Sequence, residues 1–264
     1  MKPLVITGIF LSILFIMTSP ATSFVKDGCG TGECKDCHNL TKEEAVTLLN
    51  DKSIEVMDIT FSEVPGLWAV DIKQRDKTIP IYIDFSKQYI LTGSILRLNN
   101  KTDVTRDRFI RLNKIDITQV PLDKAIIIGN PNAPKKIIVF DDPECSYCMK
   151  IHSEMKAVVE KNPDIAFFIK MFPLQSHPKA YEKAKTIICK NSAQLLEDSL
   201  AGKEIPPPDC DTDEIDKNIA LALKIGVQST PTLIYPDGRV IPGYKQAEMI
   251  IQLMEEDEKQ GKKK

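Results

Sequence analysis

The sequence has no second apolar run of membrane-spanning length after its first two dozen residues, no low-complexity tract, no internal repeat and a single tryptophan, Trp68. Its net charge is −2, and basic residues gather into a run only in the terminal "GKKK". Charge scattered in this way offers no electrostatic footprint for nucleic acid, and the terminal run reads as a solvated end. Without further apolar runs the chain is not a polytopic membrane protein. A lipoprotein-type cysteine after the first apolar run is also missing, so the mature chain is expected to be soluble. The hydrophobic share of 42% and the charged share of 27% are those of an ordinary globular protein.

What is present begins with a leader. Met1-Lys2 is a short positive start, "PLVITGIFLSILFIM" is apolar, and Ala21-Thr22-Ser23 fits the small-x-small pattern of a cleavage site before Phe24. Residues 1–23 therefore read as a secretory signal removed from the mature protein, which puts the mature chain outside the cytoplasm. About 240 residues remain, enough for two domains. Seven cysteines follow the leader: Cys29, Cys34, Cys37, Cys145, Cys148, Cys189 and Cys210. In an exported chain these are expected to form disulfides or to carry redox or metal chemistry. The odd count leaves at least one over.

Segment 24–39 is rich in cysteine, and a small domain follows over 40–104. Thr41 with Glu44 three residues on is a capping box opening a short helix to Leu49. From Ile54 to about Asn100 the pattern is β: "GLWAVDIK", "TIPIYIDF" and "QYILTGSILRL" are rich in branched and aromatic residues and separated by turn residues. Trp68 is expected to pack in this sheet or at an interface. A sheet this small has limited core and open edges, so it gains from pairing with a second copy. Residues 105–124 read as a connecting helix and linker, broken by Pro121.

Over 125–258 the reading is α/β, with the basic tail at 259–264. "KKIIVFDD" is a strand buried on both faces, "CMKIHSEMKAVVEKNP" a helix, "IAFFIKMF" a strand and "PKAYEKAKTIICK" a helix. "TDEIDKNIALALKIG" is a helix ending at Gly226, "TPTLIYPDGRVIPGY" a hairpin turning at Asp237-Gly238, and a last helix starts near Ala247.

The order strand, short loop, Cys145-Ser146-Tyr147-Cys148, helix is the informative part. Cysteines three apart on a first helical turn are near enough to bond. The first sits where unpaired backbone N–H groups and the helix dipole favour a thiolate. Cys145 is then the attacking sulfur with a lowered pKa, and the more buried Cys148 resolves the mixed disulfide. The bland alternatives are a stapling disulfide or half a zinc site. Zinc needs further ligands, and His152 alone is a poor one.

"IIVFDDPECSYCMKIHSEMK", "AGKEIPPPDCD" and "ALKIGVQSTPTLIYPDGRVIPGY" resemble the periplasmic disulfide isomerases of the DsbC/DsbG family. The resemblance covers most of the chain after the leader and is strongest from Ile126 to Tyr244. It implies an α+β, cystatin-like N-terminal dimerisation domain, a helix plus a small antiparallel sheet. A linker helix then joins it to an α/β thioredoxin-like catalytic domain. It also implies that Cys145 is the nucleophile and Cys148 the resolving cysteine, with Tyr147 beside them. The Thr230-Pro231 bond is expected to be cis, next to the active pair, where it supports substrate binding. Cys189 and Cys210 match the family's structural disulfide, closing a loop worth about 3 kcal/mol. Two positions depart from the family: Ser146 stands where glycine is expected, and Met149 where histidine is frequent. His152 in "KIHSEM" is retained from the family pattern, with a helix-surface position as the bland reading, and His177 reads as a loop residue.

Cys34-Lys35-Asp36-Cys37-His38 is different. It fits the C-x-x-C-H attachment signal for haem c, with two thioethers and His38 as an axial iron ligand. A Cys34–Cys37 disulfide, a second redox pair and a zinc knuckle with Cys29 remain open beside it.

The reading as a whole is a periplasmic thiol:disulfide interchange enzyme that isomerises or reduces non-native disulfides in unfolded or mis-oxidised exported proteins. It requires no cofactor for exchange. Reduction requires a membrane thiol reductase as partner, and the resemblance implies a homodimer. The alternatives are a reductase dedicated to sulfenic acids or apocytochrome cysteines, a haem-bearing electron carrier using Cys34, Cys37 and His38, and a chaperone-like binding module.

Overall fold

The computed structural model describes residues 38–51 and 53–261. The leader, the basic end of the tail and Cys29, Cys34 and Cys37 lie outside the described residues.

Helix α1 (Lys42–Leu49) starts where the sequence places its cap: Thr41 Oγ1 accepts the Glu44 N–H at 3.2 Å. It ends at Asn50, which adopts the left-handed conformation that short polar side chains tolerate. The helix lays Ala45 against a four-stranded antiparallel sheet in the order β1 (Glu55–Phe61), β2 (Leu67–Gln74), β3 (Lys77–Asp84), β4 (Ile90–Leu91). Val56, Trp68, Val70, Ile72, Ile81 and Ile83 form the core between them. Trp68 is buried there, as expected. The third expected strand is much shorter than its composition suggests. Only Ile90 and Leu91 of "QYILTGSILRL" pair with β3, and Gly93 at φ +110° turns the chain away, a conformation that needs glycine.

Helix α2 (Val104–Leu112) is capped by Asp103, which accepts the Arg106 N–H at 3.0 Å. Arg108 holds it on the sheet through two bonds to the buried Asp71 carboxylate, 2.7 and 2.8 Å. A planar guanidinium matches a carboxylate in this two-point fashion. A single 3-10 turn (Ile117–Gln119) follows.

The second sheet is mixed and five-stranded. Its order is β5 (Ile126–Ile128), β7 (Ile165–Met171), β6 (Lys135–Asp141), β8 (Thr232–Ile234), β9 (Val240–Pro242). β6 and β7 run parallel, joined by α3 (Ser146–Lys161), and the remaining pairs are antiparallel. Period-two geometry sends successive side chains to opposite faces. Ile137, Val139, Phe167 and Ile169 enter one core with α3 and α7 (Ala247–Gly261), whereas Ile138, Phe140, Ala166 and Phe168 enter the other with α6 (Glu214–Ile225). That two-sided burial is why "KKIIVFDD" reads as an unbroken apolar run. Helices α4 (Ala180–Lys190) and α5 (Ala193–Leu200) complete the first of these layers.

The β8–β9 hairpin turns at Gly238, at φ +86°. A side chain there would also meet the Ile115 carbonyl oxygen at 2.1 Å. The Ile115 N–H in turn donates to Gly238 O at 2.9 Å, so the segment after α2 is laced to the hairpin. Within the core, Lys170 is almost fully buried. It donates to Glu214 at 2.8 Å and to the Asp123 carbonyl at 3.0 Å.

Candidate active site

Strand β6 ends on two buried carboxylates, Asp141 and Asp142, and the chain turns over them into α3. Asp141 Oδ1 accepts the Asp142 N–H at 2.8 Å, Asp142 Oδ1 the Glu144 N–H at 2.7 Å, and Asp142 O the Cys145 N–H at 3.1 Å. These bonds fix the approach so that Cys145 becomes the N-cap of α3, with no cap hydrogen bond from its side chain. Both Cys145 and Cys148 are free thiols. Cys145 is 6% exposed and Cys148 is fully buried one turn deeper.

The two sulfurs are electrostatically unlike. The Cys148 thiol donating to the Cys145 sulfur is the largest influence on Cys145; burial opposes it, and the backbone N–H groups of Cys148 and Tyr147 add to it. Together they bring the Cys145 thiol down to about 6, the behaviour of a thiol at a helix N-terminus. Burial, the Cys145 thiolate and the Asp141 charge push Cys148 strongly the other way. An exposed-side thiolate thus sits over a protonated, buried partner.

The cis Thr230–Pro231 bond lies against this pair, with the Cys145 sulfur donating to Thr230 O at 3.5 Å. Pro231 O accepts the Gly243 N–H at 2.7 Å, tying the loop to the strand beyond the hairpin. Tyr147 and Met149 stand on the rim, 57% and 46% exposed. The Lys150 ammonium lies 5.2 Å above the Tyr147 ring. A cleft of about 240 Å³ opens beside Cys145, bordered by Met149, Leu200 and the Glu144–Lys183 ion pair at 2.8 Å.

His152 is not a surface residue. It is 3% exposed, and its Nε2 lies 2.6 Å from Asp141 Oδ2 while its Nδ1 lies 2.9 Å from Glu197 Oε1 on α5. The buried positions of α3 are 148, 151, 152, 155 and 158, one stripe at helical spacing. The Cys148–His152 interval was the available signal. Burial lowers the His152 pKa, but the carboxylates of Asp141 and Glu197 outweigh it and raise it to about 9. His177 does lie in a loop, yet its Nδ1 is 2.8 Å from the buried Asp142 carboxylate. That carboxylate with Glu144 and the Cys145 sulfur raises the His177 pKa against a modest burial.

Cys189 and Cys210 are bonded, with Cα atoms 5.6 Å apart, joining the last turn of α4 to the segment before α6. Of the C-x-x-C-H motif only His38 is described. Its ring stacks on Phe85 with centroids 4.4 Å apart and meets Trp68 edge-on at 6.4 Å. Among the described residues no cluster of three His, Cys, Asp or Glu side chains is arranged for a metal ion.

Several known proteins are similar to this chain. The family described as a thioredoxin-like domain matches residues 122–257. The thiol:disulfide interchange protein DsbC of Salmonella typhimurium is 32% identical over 183 residues, 68% of this chain and 74% of that protein. The DsbC of Escherichia coli K12 is 28% identical over 182 residues, with the same two coverages, 68% and 74%. A probable DsbC of Bordetella avium is 28% identical over 158 residues, where the match spans 55% of that relative's length. A crystal structure of a disulfide interchange protein from Neisseria gonorrhoeae aligns with 52% of this chain and 97% of its own, at 28% identity and a TM-score of 0.45. By its matched thioredoxin-like domain and its identity to these relatives, the chain belongs to the DsbC-type thiol:disulfide interchange proteins.

Proposed function

We propose that Cys145 and Cys148 exchange disulfides in exported proteins, isomerising or reducing non-native bonds. The observation that carries this reading is the asymmetry of the pair: Cys145 at the helix start beside the cleft, Cys148 buried beneath it. The Cys145 thiolate attacks a substrate disulfide, forming a Cys145–substrate bond and releasing one substrate thiolate. A second substrate thiol then displaces Cys145, which completes an isomerisation. Otherwise Cys148 displaces the substrate, which leaves reduced, and a membrane thiol reductase returns two electrons to the enzyme.

Tyr147, Thr230 and Pro231 line the approach. An extended substrate strand crossing Cys145 meets the Thr230 backbone, so main-chain pairing holds the strand without reading its sequence. Exchange needs no cofactor. The leader and the Cys189–Cys210 disulfide support a periplasmic location, where such bonds persist. A second copy of the chain is the partner for β4, an open sheet edge with Tyr89, Ile90, Leu91, Leu96 and Leu98 exposed around it.

Reduced protein incubated with a scrambled disulfide substrate tests the reading. Recovery of native substrate by the wild type and none by Cys145→Ala is expected; equal recovery from both would overturn it. Haem at Cys34, Cys37 and His38 is no part of this reading; Cys34 and Cys37 lie outside the described residues, and the His38 ring stacks on Phe85. An intact mass of protein exported by a host that matures c-type cytochromes is expected to be that of the mature chain. A mass raised by one haem, with a Soret band, would replace this part of the reading.

A further inference from the structure

The cleft beside Cys145 carries charge that exchange between protein chains does not require. Its walls include Cys145 and Met149 at the start of α3, Leu200 and Gly202 at the end of α5, and the Glu144–Lys183 pair. Lys183 Nζ donates to Glu144 Oε1 at 2.8 Å, and the two side chains are about one-fifth exposed, 19% and 21%. Burial raises the Glu144 carboxyl, but Lys183 and the Lys179 N–H outweigh it and hold it below the ordinary carboxylate range. An ammonium has three protons to donate and a carboxylate several acceptor positions, so each keeps capacity for a further partner. Gly202 adds no side chain, and nothing lies within 4 Å of where one would begin, which leaves that wall open. Glu144 directly precedes the nucleophile, so one anion and one cation stand side by side next to the reacting sulfur.

We propose that this cleft binds one half of a small disulfide built from α-amino acids, cystine being the simplest, and that such compounds are substrates beside protein disulfides. The inference rests on the reading of Cys145 as the attacking thiolate. The α-carboxylate pairs with Lys183, the α-ammonium pairs with Glu144, and Met149 and Leu200 flank the side chain that carries the sulfur. Within a protein chain both α-groups of a cysteine are tied up in amides, so this pair of charges has nothing to recognise there. A free amino acid offers both. The cleft, about 240 Å³, is below the roughly 300–1,000 Å³ of pockets for drug-sized ligands, which suits a single amino acid. Two fixed charges of opposite sign also set the direction in which the ligand lies, and so which end meets Cys145.

The Cys145 thiolate attacks the near sulfur of cystine. A Cys145–cysteinyl bond forms, the cystine S–S bond breaks, and one cysteine leaves as its thiolate. Cys148 then gives up its proton and bonds to the Cys145 sulfur, and the second cysteine leaves as a thiolate. Two electrons pass from the dithiol to cystine, and the membrane thiol reductase returns two to the protein.

The test mixes reduced protein with four disulfides. Cystine carries both charges, cystamine lacks the carboxylates, dithiodipropionate lacks the ammonium groups, and hydroxyethyl disulfide lacks both. Loss of reduced Cys145 is followed by acid quench and mass spectrometry. Each rate is divided by that of the same disulfide with mercaptoethanol, which removes intrinsic reactivity. Cystine is expected to exceed hydroxyethyl disulfide by about 10-fold, the scale of a hydrogen bond to a charged group, with the other two between. Lys183→Met is expected to abolish the advantage of cystine over cystamine, and Glu144→Gln its advantage over dithiodipropionate. Only ratios within one protein are compared, so any change in Cys145 itself cancels. Equal normalised rates for all four disulfides in the wild type overturn the subsite, as do wild-type ratios in both variants. If a variant does not fold, the wild-type series decides alone. A wild type that reacts with none of the four overturns the reading of Cys145, and the subsite with it.

Discussion

The Cys145 sulfur and the Thr230 carbonyl oxygen, 85 positions apart in sequence, lie 3.5 Å from each other. One belongs to the start of a helix and the other to the turn into a hairpin strand, and neither element alone makes a site. Their meeting sets the hairpin turn against the Cys145 sulfur.

Cys145→Ala is expected to abolish exchange, whereas Cys148→Ala is expected to keep the first attack and accumulate mixed disulfides. Mass spectrometry of protein quenched with acid after mixing with substrate distinguishes the two. A Cys148→Ala protein without trapped substrate would contradict the division of roles.

Attack by Cys145 is expected to rise with pH around a midpoint of about 6. The same thiol couples to stability. Its folded value lies below the ordinary 9.0, so the reduced protein gains stability as pH rises from about 6 to about 9 and loses it on acidification through that window. His152 works in the opposite sense: raised from 6.5 to about 9, its contribution is complete below the lower value and is lost as pH rises through the upper. The disulfide form lacks the thiol contribution, so the stability gap between reduced and oxidised protein is expected to widen from pH 6 to pH 9. Urea midpoints of both forms at the two ends check this.

Replacing Cys189 and Cys210 together by alanine is expected to lower stability by about 3 kcal/mol, the loop-closure value for a bridge of this span. Exchange by the surviving folded fraction is expected to persist. Chemical denaturation alongside the scrambled-substrate assay separates the two effects.

Lys170→Ala leaves the Glu214 carboxylate without its buried partner and is expected to cost about 3–5 kcal/mol. Lys170→Met combined with Glu214→Leu is expected to recover most of that. A single variant as stable as wild type would show that water reaches the pair.

Much of this was legible from local signals. The capping box at Thr41 and Glu44, the Gly226 helix stop, the hairpin at Gly238 and the strand–loop–helix frame of Cys145 each need only a few neighbouring residues. β1 was harder, because Val56 is the only buried residue of its seven, which leaves almost no apolar pattern to detect. "QYILTGSILRL" misled in the other direction. Its composition favours a strand, but Tyr89 and Leu98 remain exposed at 65% and 85%, so composition there reflects a surface. The Asp141–His152–Glu197 cluster was out of reach for a third reason. Its members come from a strand end and two helices, and α5 carries no signal linking it to the active cysteines.

Helix α3 opens on a cysteine that supplies no side-chain cap, where serine or aspartate would contribute about 1 kcal/mol. The sulfur fills that office only as a thiolate, when the N–H groups of Tyr147 and Cys148 turn toward it. Oxidation to a disulfide removes the thiolate charge that these N–H groups favour. Folding therefore prefers the dithiol, and every unit of that preference appears as readiness of the disulfide to accept electrons.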